Sequence, residues 1–256
     1  MKNVLKSAEP EALAAYRERF IRQPTPRTWE EFKKTQESKE VALQLRSDQK
    51  GLCAYCEIDL TERDSSVEHF VPKSTSTKEQ NWHLEWSNLL AVCLGGIHDV
   101  GDEELPGYRK CLGGYREPSC GAKKLSAIPD PQTLNPLLLP AFPRLRRVAN
   151  ADGELQPDDT ECAKAGVAPG DVTHTVLFLG LNCYRLCRNR LAVLQELEQD
   201  LDDRFAANPD SKTVEKEMAT EMFGDGASDW PAFFTTYRSF FGVAAEEHLH
   251  EIGYTG

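Results

Sequence analysis

Cys53-Ala54-Tyr55-Cys56, then Glu68-His69-Phe70-Val71-Pro72-Lys73-Ser74, then Asn88-Leu89-Leu90 with Cys93 close behind, is the stretch that decides how this chain is read. Two cysteines three positions apart can each give a thiolate from one tight turn, and zinc prefers four such ligands in a tetrahedron. His69 stands outside the cysteine set and directly follows a carboxylate, which leaves it for other work. Phosphodiester hydrolysis needs a base for the attacking water, a divalent cation against the leaving oxygen, and positive groups on the phosphate. Residues 68–124 carry side chains for all three. His69 is the proposed general base, because a neutral imidazole can take a proton near pH 7.

The wider composition bounds the reading. With 256 residues, 40% hydrophobic and 28% charged, the chain has the make-up of a globular protein and can bury a sizeable core. The longest apolar runs, near residues 176–181 and 137–139, are far too short to span a bilayer, and no N-terminal run resembles a signal peptide. Eight cysteines in that setting argue for metal binding and free thiols over a disulfide framework. The expectation is a cytoplasmic protein with no membrane association.

A net charge of −11 looks wrong for a nucleic-acid enzyme until it is divided along the chain. Residues 105–147 carry a local +6, and residues 148–256 a local −12. Phosphate binding depends on local Lys and Arg density, so the basic stretch beside the candidate site is the part that counts. The acidic half suggests an enzyme that binds nucleic acid poorly alone.

Leu13, Ala14, Tyr16 and Phe20 form a helical stripe over residues 8–20, with Ser7 as its N-cap. Thr28 and Glu31 make a capping box that opens a second helix. A third passes through Val41, Leu43 and Leu45 and stops near Gly51. Prolines at 129, 131, 136, 140 and 143 break the next region, and residues 150–153 read as a turn. Cys187, Leu191, Leu194, Leu197, Leu201 and Phe205 mark a long helix capped by Asn182, and a last helix spans residues 229–252 with a core-facing aromatic stripe. Cys162, Cys183 and Cys187 read as buried thiols. His83, His174, His248 and His250 are left outside the site, the last two as a solvated tail.

The spacing of Cys-x-x-Cys, Glu-His-x-x-Pro and Asn-Leu-Leu resembles the HNH endonucleases, in which two strands and a helix wrap one catalytic metal ion. Leu52-Cys53-Ala54-Tyr55-Cys56, the Val67–Ser74 run and Leu134-Asn135-Pro136 make the chain similar to the PtuB-like HNH components of Septu anti-phage systems and related retron operons. That resemblance implies Cys93 and Cys120 as the remaining zinc ligands, with Cys111 as the alternative to Cys93, because Cys-Leu-Gly-Gly occurs at both 93–96 and 111–114. It implies Glu68 as a ligand of catalytic Mg²⁺ or Mn²⁺, and Asn88 as the residue that holds the metal-binding loop. Lys73, Ser74, Lys123 and Lys124 become phosphate contacts. Where the family places His, Asn or Asp after the last cysteine, this chain has Gly121, so His98 and Asp99, then Asp102, are candidates for the missing ligand.

The expected fold class is α+β: a ββα-metal core with a structural zinc knuckle over residues 47–140, between a helical arm at 1–46 and a mainly helical region at 141–256. The resemblance implies an anti-phage effector that cuts nucleic acid, DNA favoured and RNA such as tRNA the alternative. It acts with a PtuA-like ABC-type ATPase and, in retron versions, with a reverse transcriptase and its msDNA. The other reading is a catalytically inactive zinc-binding interaction module in the same complex. Adjacent acid and base at Glu68-His69 favour the enzyme.

Overall fold

Strand β1, Ser66–His69, pairs antiparallel with β2, Leu89–Val92, so that Glu68 lies opposite Leu90 and His69 opposite Leu89. All four residues of β2 are buried, which explains its unbroken apolar sequence: both of its faces are covered. The computed structural model describes residues 1–20, 27–97, 117–207, 211–226 and 229–256. His98, Asp99, Asp102 and Cys111 lie outside those residues.

Three helices precede the hairpin: α1 (Glu11–Arg19), α2 (Trp29–Phe32) and α3 (Glu37–Asp48). The Thr28–Glu31 capping box is present as expected, with both of its reciprocal hydrogen bonds. Ser7 does not cap α1, which begins after Pro10; its hydroxyl bonds Asp48 at 3.0 Å instead and ties the N-terminal segment to α3. Gly51 turns the chain out of α3 with φ of 77°, and a Cβ there would sit 2.6 Å from an Asp229 carboxylate oxygen. The turn therefore needs glycine twice over, for its backbone and for its neighbour.

Helix α4, Cys120–Lys124, follows the hairpin in sequence. A second hairpin, β3 (Arg146–Val148) with β4 (Leu155–Pro157), closes through the turn at 150–153. Helices α5 (Asp159–Ala165), α6 (Pro169–Phe178), α7 (Tyr184–Ala207), α8 (Ser211–Phe223), α9 (Phe234–Phe241) and α10 (Val243–Glu251) complete the order. The expected last helix is two, broken at Gly242 with φ of 53°. Asn182 does not serve as the expected cap of α7. Its amide pairs with both backbone groups of Leu155, at 2.9 and 3.1 Å, and docks the start of α7 on β4.

One hydrophobic cluster joins Leu13 and Phe32 from the N-terminal helices, Tyr55 and Leu89 from the motif region, and Val148, Leu179 and Leu186 beyond it. A second holds the aromatic stripe, with Trp230, Phe234 and Phe241 packed among α7, α8 and α10. The C-terminal histidines belong to this packing and not to a solvated tail: His248 is buried, and His250 stacks on Phe142 with ring centroids 3.7 Å apart. Among the described residues no helix is long and apolar enough to cross a membrane.

Candidate active site

The knuckle following α3 brings Cys53 and Cys56 against Cys93, just past β2, and Cys120, the first residue of α4. The four sulfurs all lie within 4.8 Å of one another, and all four residues are buried. Three of the separations are 3.8 Å (Cys53–Cys120), 3.6 Å (Cys56–Cys93) and 3.7 Å (Cys93–Cys120). A disulfide needs about 2.05 Å. A zinc tetrahedron with Zn–S bonds of about 2.3 Å has edges of ~3.8 Å. The cage fits zinc and not a pair of disulfides.

The buried thiols cannot all ionise by themselves. Burial opposes it at Cys53, yet hydrogen bonds from Cys120, Cys56 and Cys93 bring that thiol well below the ordinary value. Burial pushes Cys120 well above it. A divalent cation removes the conflict. Arg185 at the start of α7 bonds the Ser119 hydroxyl at 3.0 Å. Burial works against its guanidinium, but the thiols of Cys56, Cys93, Cys183 and Cys120 more than offset this and raise its pKa. It is therefore a counter-charge for thiolates in the cage.

His69 ends β1 and is buried, with its Nε2 3.0 Å from the carbonyl oxygen of His83. A carbonyl can only accept, so Nε2 carries the hydrogen and Nδ1 keeps its lone pair. Burial is the main reason the His69 pKa falls from near 6.5 to about 4. The ring is thus neutral at pH 7 and able to accept a proton. Trp29 of α2 packs edge-on against it, ring centroids 5.2 Å apart, and the Trp29 amide donates to His83 Nδ1 at 3.1 Å.

Asn88 is buried and fully engaged. Its Oδ1 accepts from the Val71 amide at 2.7 Å, and its Nδ2 donates to the carbonyls of Val71 at 2.9 Å and Trp82 at 3.0 Å. These bonds pin both ends of the loop between β1 and β2.

Glu68 and Lys124 form an ion pair at 2.8 Å, with side-chain exposures of 16% and 1%. Lys124 also donates to the His69 carbonyl at 3.0 Å. Lys124, expected as a phosphate contact, is buried here with its ammonium on Glu68 and the His69 carbonyl. Burial raises the Glu68 pKa, against the pull of Lys124. The second oxygen, Oε2, faces Gly121, where an added Cβ would come within 2.9 Å of it.

Over 209 residues the sequence is 36% identical to "Retron Ec83 putative HNH endonuclease" of Escherichia coli, a match covering 76% of this chain and 79% of the relative. The chain belongs to the HNH endonuclease family. No family model and no solved structure matches it.

In this HNH endonuclease Lys73, another expected phosphate contact, is near enough that its charge bears on both Glu68 and His69. Lys123 and Ser74 are exposed, and Lys73 pairs with Glu30 of α2 at 3.0 Å. The Glu68 Oε2 facing Gly121 is a hard oxygen suited to a magnesium-type ion. Sequence reasoning missed Trp29, Glu30 and His83. The capping box located the start of α2, but nothing in the local sequence tells that α2 packs on His69 from 40 residues away. His83 acts through its carbonyl, which no side-chain pattern can advertise.

Proposed function

We propose that the chain is a metal-dependent nuclease effector that hydrolyses DNA phosphodiester bonds with His69 as general base. The observation that carries this is the His69 tautomer: the 3.0 Å bond to the His83 carbonyl commits Nε2 as donor, which leaves Nδ1 as the proton acceptor. Asn88 fixes the loop that follows His69, and Lys124 orients Glu68 through Oε1 so that Oε2 stays available. Glu68 would hold Mg²⁺ or Mn²⁺, with His98 or Asp99 as further candidates. When bound, the ion supplies charge stabilisation at the leaving oxygen. Lys73, Ser74 and Lys123 offer surface contacts to phosphate. The hairpin and α4 would then be a ββα-metal unit, with zinc in the Cys53, Cys56, Cys93 and Cys120 cage fixing one end of it to the knuckle.

The retron named in the relative supports a place in retron-associated anti-phage defence, with a reverse transcriptase and msDNA nearby. The resemblance to PtuB-like proteins of Septu systems adds a PtuA-like ABC-type ATPase as partner. A net charge of −11 fits an effector whose DNA contacts come largely from such a partner. The test is co-expression with the neighbouring ATPase, comparing wild type with His69→Ala for divalent-dependent cleavage of plasmid DNA and of total tRNA. Plasmid cleavage lost in His69→Ala at unchanged zinc content is the expected result. Cleavage of tRNA alone would move the substrate to RNA, and no cleavage by the wild-type complex would favour an interaction module.

A further inference from the structure

Lys124 is fixed at both ends, by its backbone in α4 and by its ammonium on Glu68 and the His69 carbonyl. The next residue absorbs the consequence. Leu125 closes α4 with its amide on the Gly121 carbonyl at 2.8 Å, at φ 52° and ψ −125°, a conformation natural to glycine and strained for leucine. Its side chain is 75% exposed, so no burial offsets the strain. Ile128, three residues on, is 65% exposed as well, and Lys123 on the other side is an exposed cation. A glycine at 125 would relax the turn, and a polar residue at 125 or 128 would suit water. Instead Leu125 and Ile128 are exposed apolar side chains that follow the site's Lys124 in the chain, with the exposed cation Lys123 just before it.

We propose that Leu125, supported by Ile128, is a DNA-positioning residue: it inserts against a base step beside the scissile phosphate and partly unstacks it. The inference rests on the nuclease reading above. Two arguments name the occupant. First, Leu125 is continuous with the site, its Cα about 3.8 Å from that of Lys124 across a trans peptide, and Lys124 touches Glu68 directly. Second, Lys123 supplies the charge that a phosphate flanking the step requires. Apolar side chains wedged between base steps, with lysine or arginine beside them, are a general means of bending a duplex onto a protein surface. A rigid turn suits this use, because a side chain that must enter a stack gains from being held in place beforehand.

The experiment uses the full-length, zinc-loaded chain in its active complex and short DNA duplexes with 2-aminopurine next to the cut site. Leu125→Gly, Leu125→Met and wild type are each compared for cleavage and for thermal midpoint. In a His69→Ala background the same three are compared for 2-aminopurine fluorescence on binding. Leu125→Gly is expected to keep or raise the midpoint, to lower kcat/KM on duplex DNA by at least about tenfold, and to abolish the fluorescence rise. Leu125→Met is expected to retain both. A purely structural leucine would give the opposite pattern, with a lower midpoint in Leu125→Gly and no change in fluorescence. Equal kcat/KM and equal fluorescence for wild type and Leu125→Gly overturn the proposal, as does unstacking seen only with RNA. The fluorescence arm needs no cutting, so it decides the role of Leu125 separately from the nuclease reading, whose own failure would show as His69→Ala having no effect.

Discussion

The ammonium of Lys124 lies 2.8 Å from Glu68 Oε1 and 3.0 Å from the carbonyl oxygen of His69, so one buried cation ties the acid and the proposed base of the site to α4. Removing one partner of a buried ion pair costs about 3–5 kcal/mol, because the other charge is left uncompensated. Glu68 keeps 16% side-chain exposure, which places Lys124→Met at the low end, about 3 kcal/mol, in urea denaturation. The double variant Glu68→Gln/Lys124→Met should recover more than half of that loss. Additive losses in the cycle would mean that the pair is not coupled.

The sulfur cage makes a separate prediction about composition. Cys93→Ser should bind less than one zinc per chain and unfold at lower temperature, because the 3.6 and 3.7 Å edges to Cys56 and Cys120 converge on it. Cys111→Ser should retain a full equivalent of zinc. Metal content of the two purified variants, measured by mass spectrometry, separates the alternatives that the repeated Cys-Leu-Gly-Gly leaves open. A strong chelator should unfold the wild-type hairpin and α4 together, seen as loss of near-ultraviolet circular dichroism.

Burial holds the His69 pKa at about 4 in the folded chain against 6.5 ordinarily. The unfolded chain therefore takes up a proton first as pH falls. Stability should be level above about pH 6.5, fall between 6.5 and 4, and lose roughly 3 kcal/mol across that window. The measurement is a series of denaturant midpoints in magnesium-free buffer with the zinc in place. His69→Asn should flatten that slope. An unchanged slope in the variant would assign the acid sensitivity elsewhere.

Much of the site was legible in the sequence because its chemistry is carried by side chains at fixed spacing. Cys53, Cys56, Cys93 and Cys120 converge as expected, and Asn88 makes the loop-holding bonds its position implied. Lys124 was legible as a cation near the site but not as a buried one. Its partner is set by where the chain brings α4 against Glu68 of β1, a tertiary fact. The break at Gly242 was missed because the aromatic period runs across it: Phe241 and Ala245 bury into the same cluster on both sides of the kink. The capping role of Asn182 failed for a related reason. A strand edge at Leu155 competes for its amide and wins with two hydrogen bonds to the cap's one.

Asn88→Ala removes one acceptor and two donors from half-buried backbone partners at Val71 and Trp82. Each orphaned buried group costs about 1–3 kcal/mol, less where water can reach it, so a total near 3 kcal/mol is expected. Amide exchange at Val71 should quicken at least as much as global unfolding does. Exchange at Val71 unchanged from wild type would show the loop to be held by other contacts.

Gly121→Ala sets two effects of known sign against each other. Alanine in place of glycine inside a helix gains up to about 1 kcal/mol in propensity. The added Cβ, however, falls 2.9 Å from Glu68 Oε2 and 3.5 Å from a Val92 methyl. Overpacking costs about 1–3 kcal/mol, and here the neighbour that must yield is a carboxylate anchored on Lys124. The clash should win, with a net loss of about 1 kcal/mol and a larger loss of cleavage, because Glu68 Oε2 is pushed from the position proposed for it as a metal ligand. Gly121→Asn, which adds a larger polar side chain here, should be worse than alanine, since its branch occupies the same space. A stabilised, fully active Gly121→Ala would show that Glu68 can leave Lys124 at little cost. The ion pair would then be incidental to the reaction.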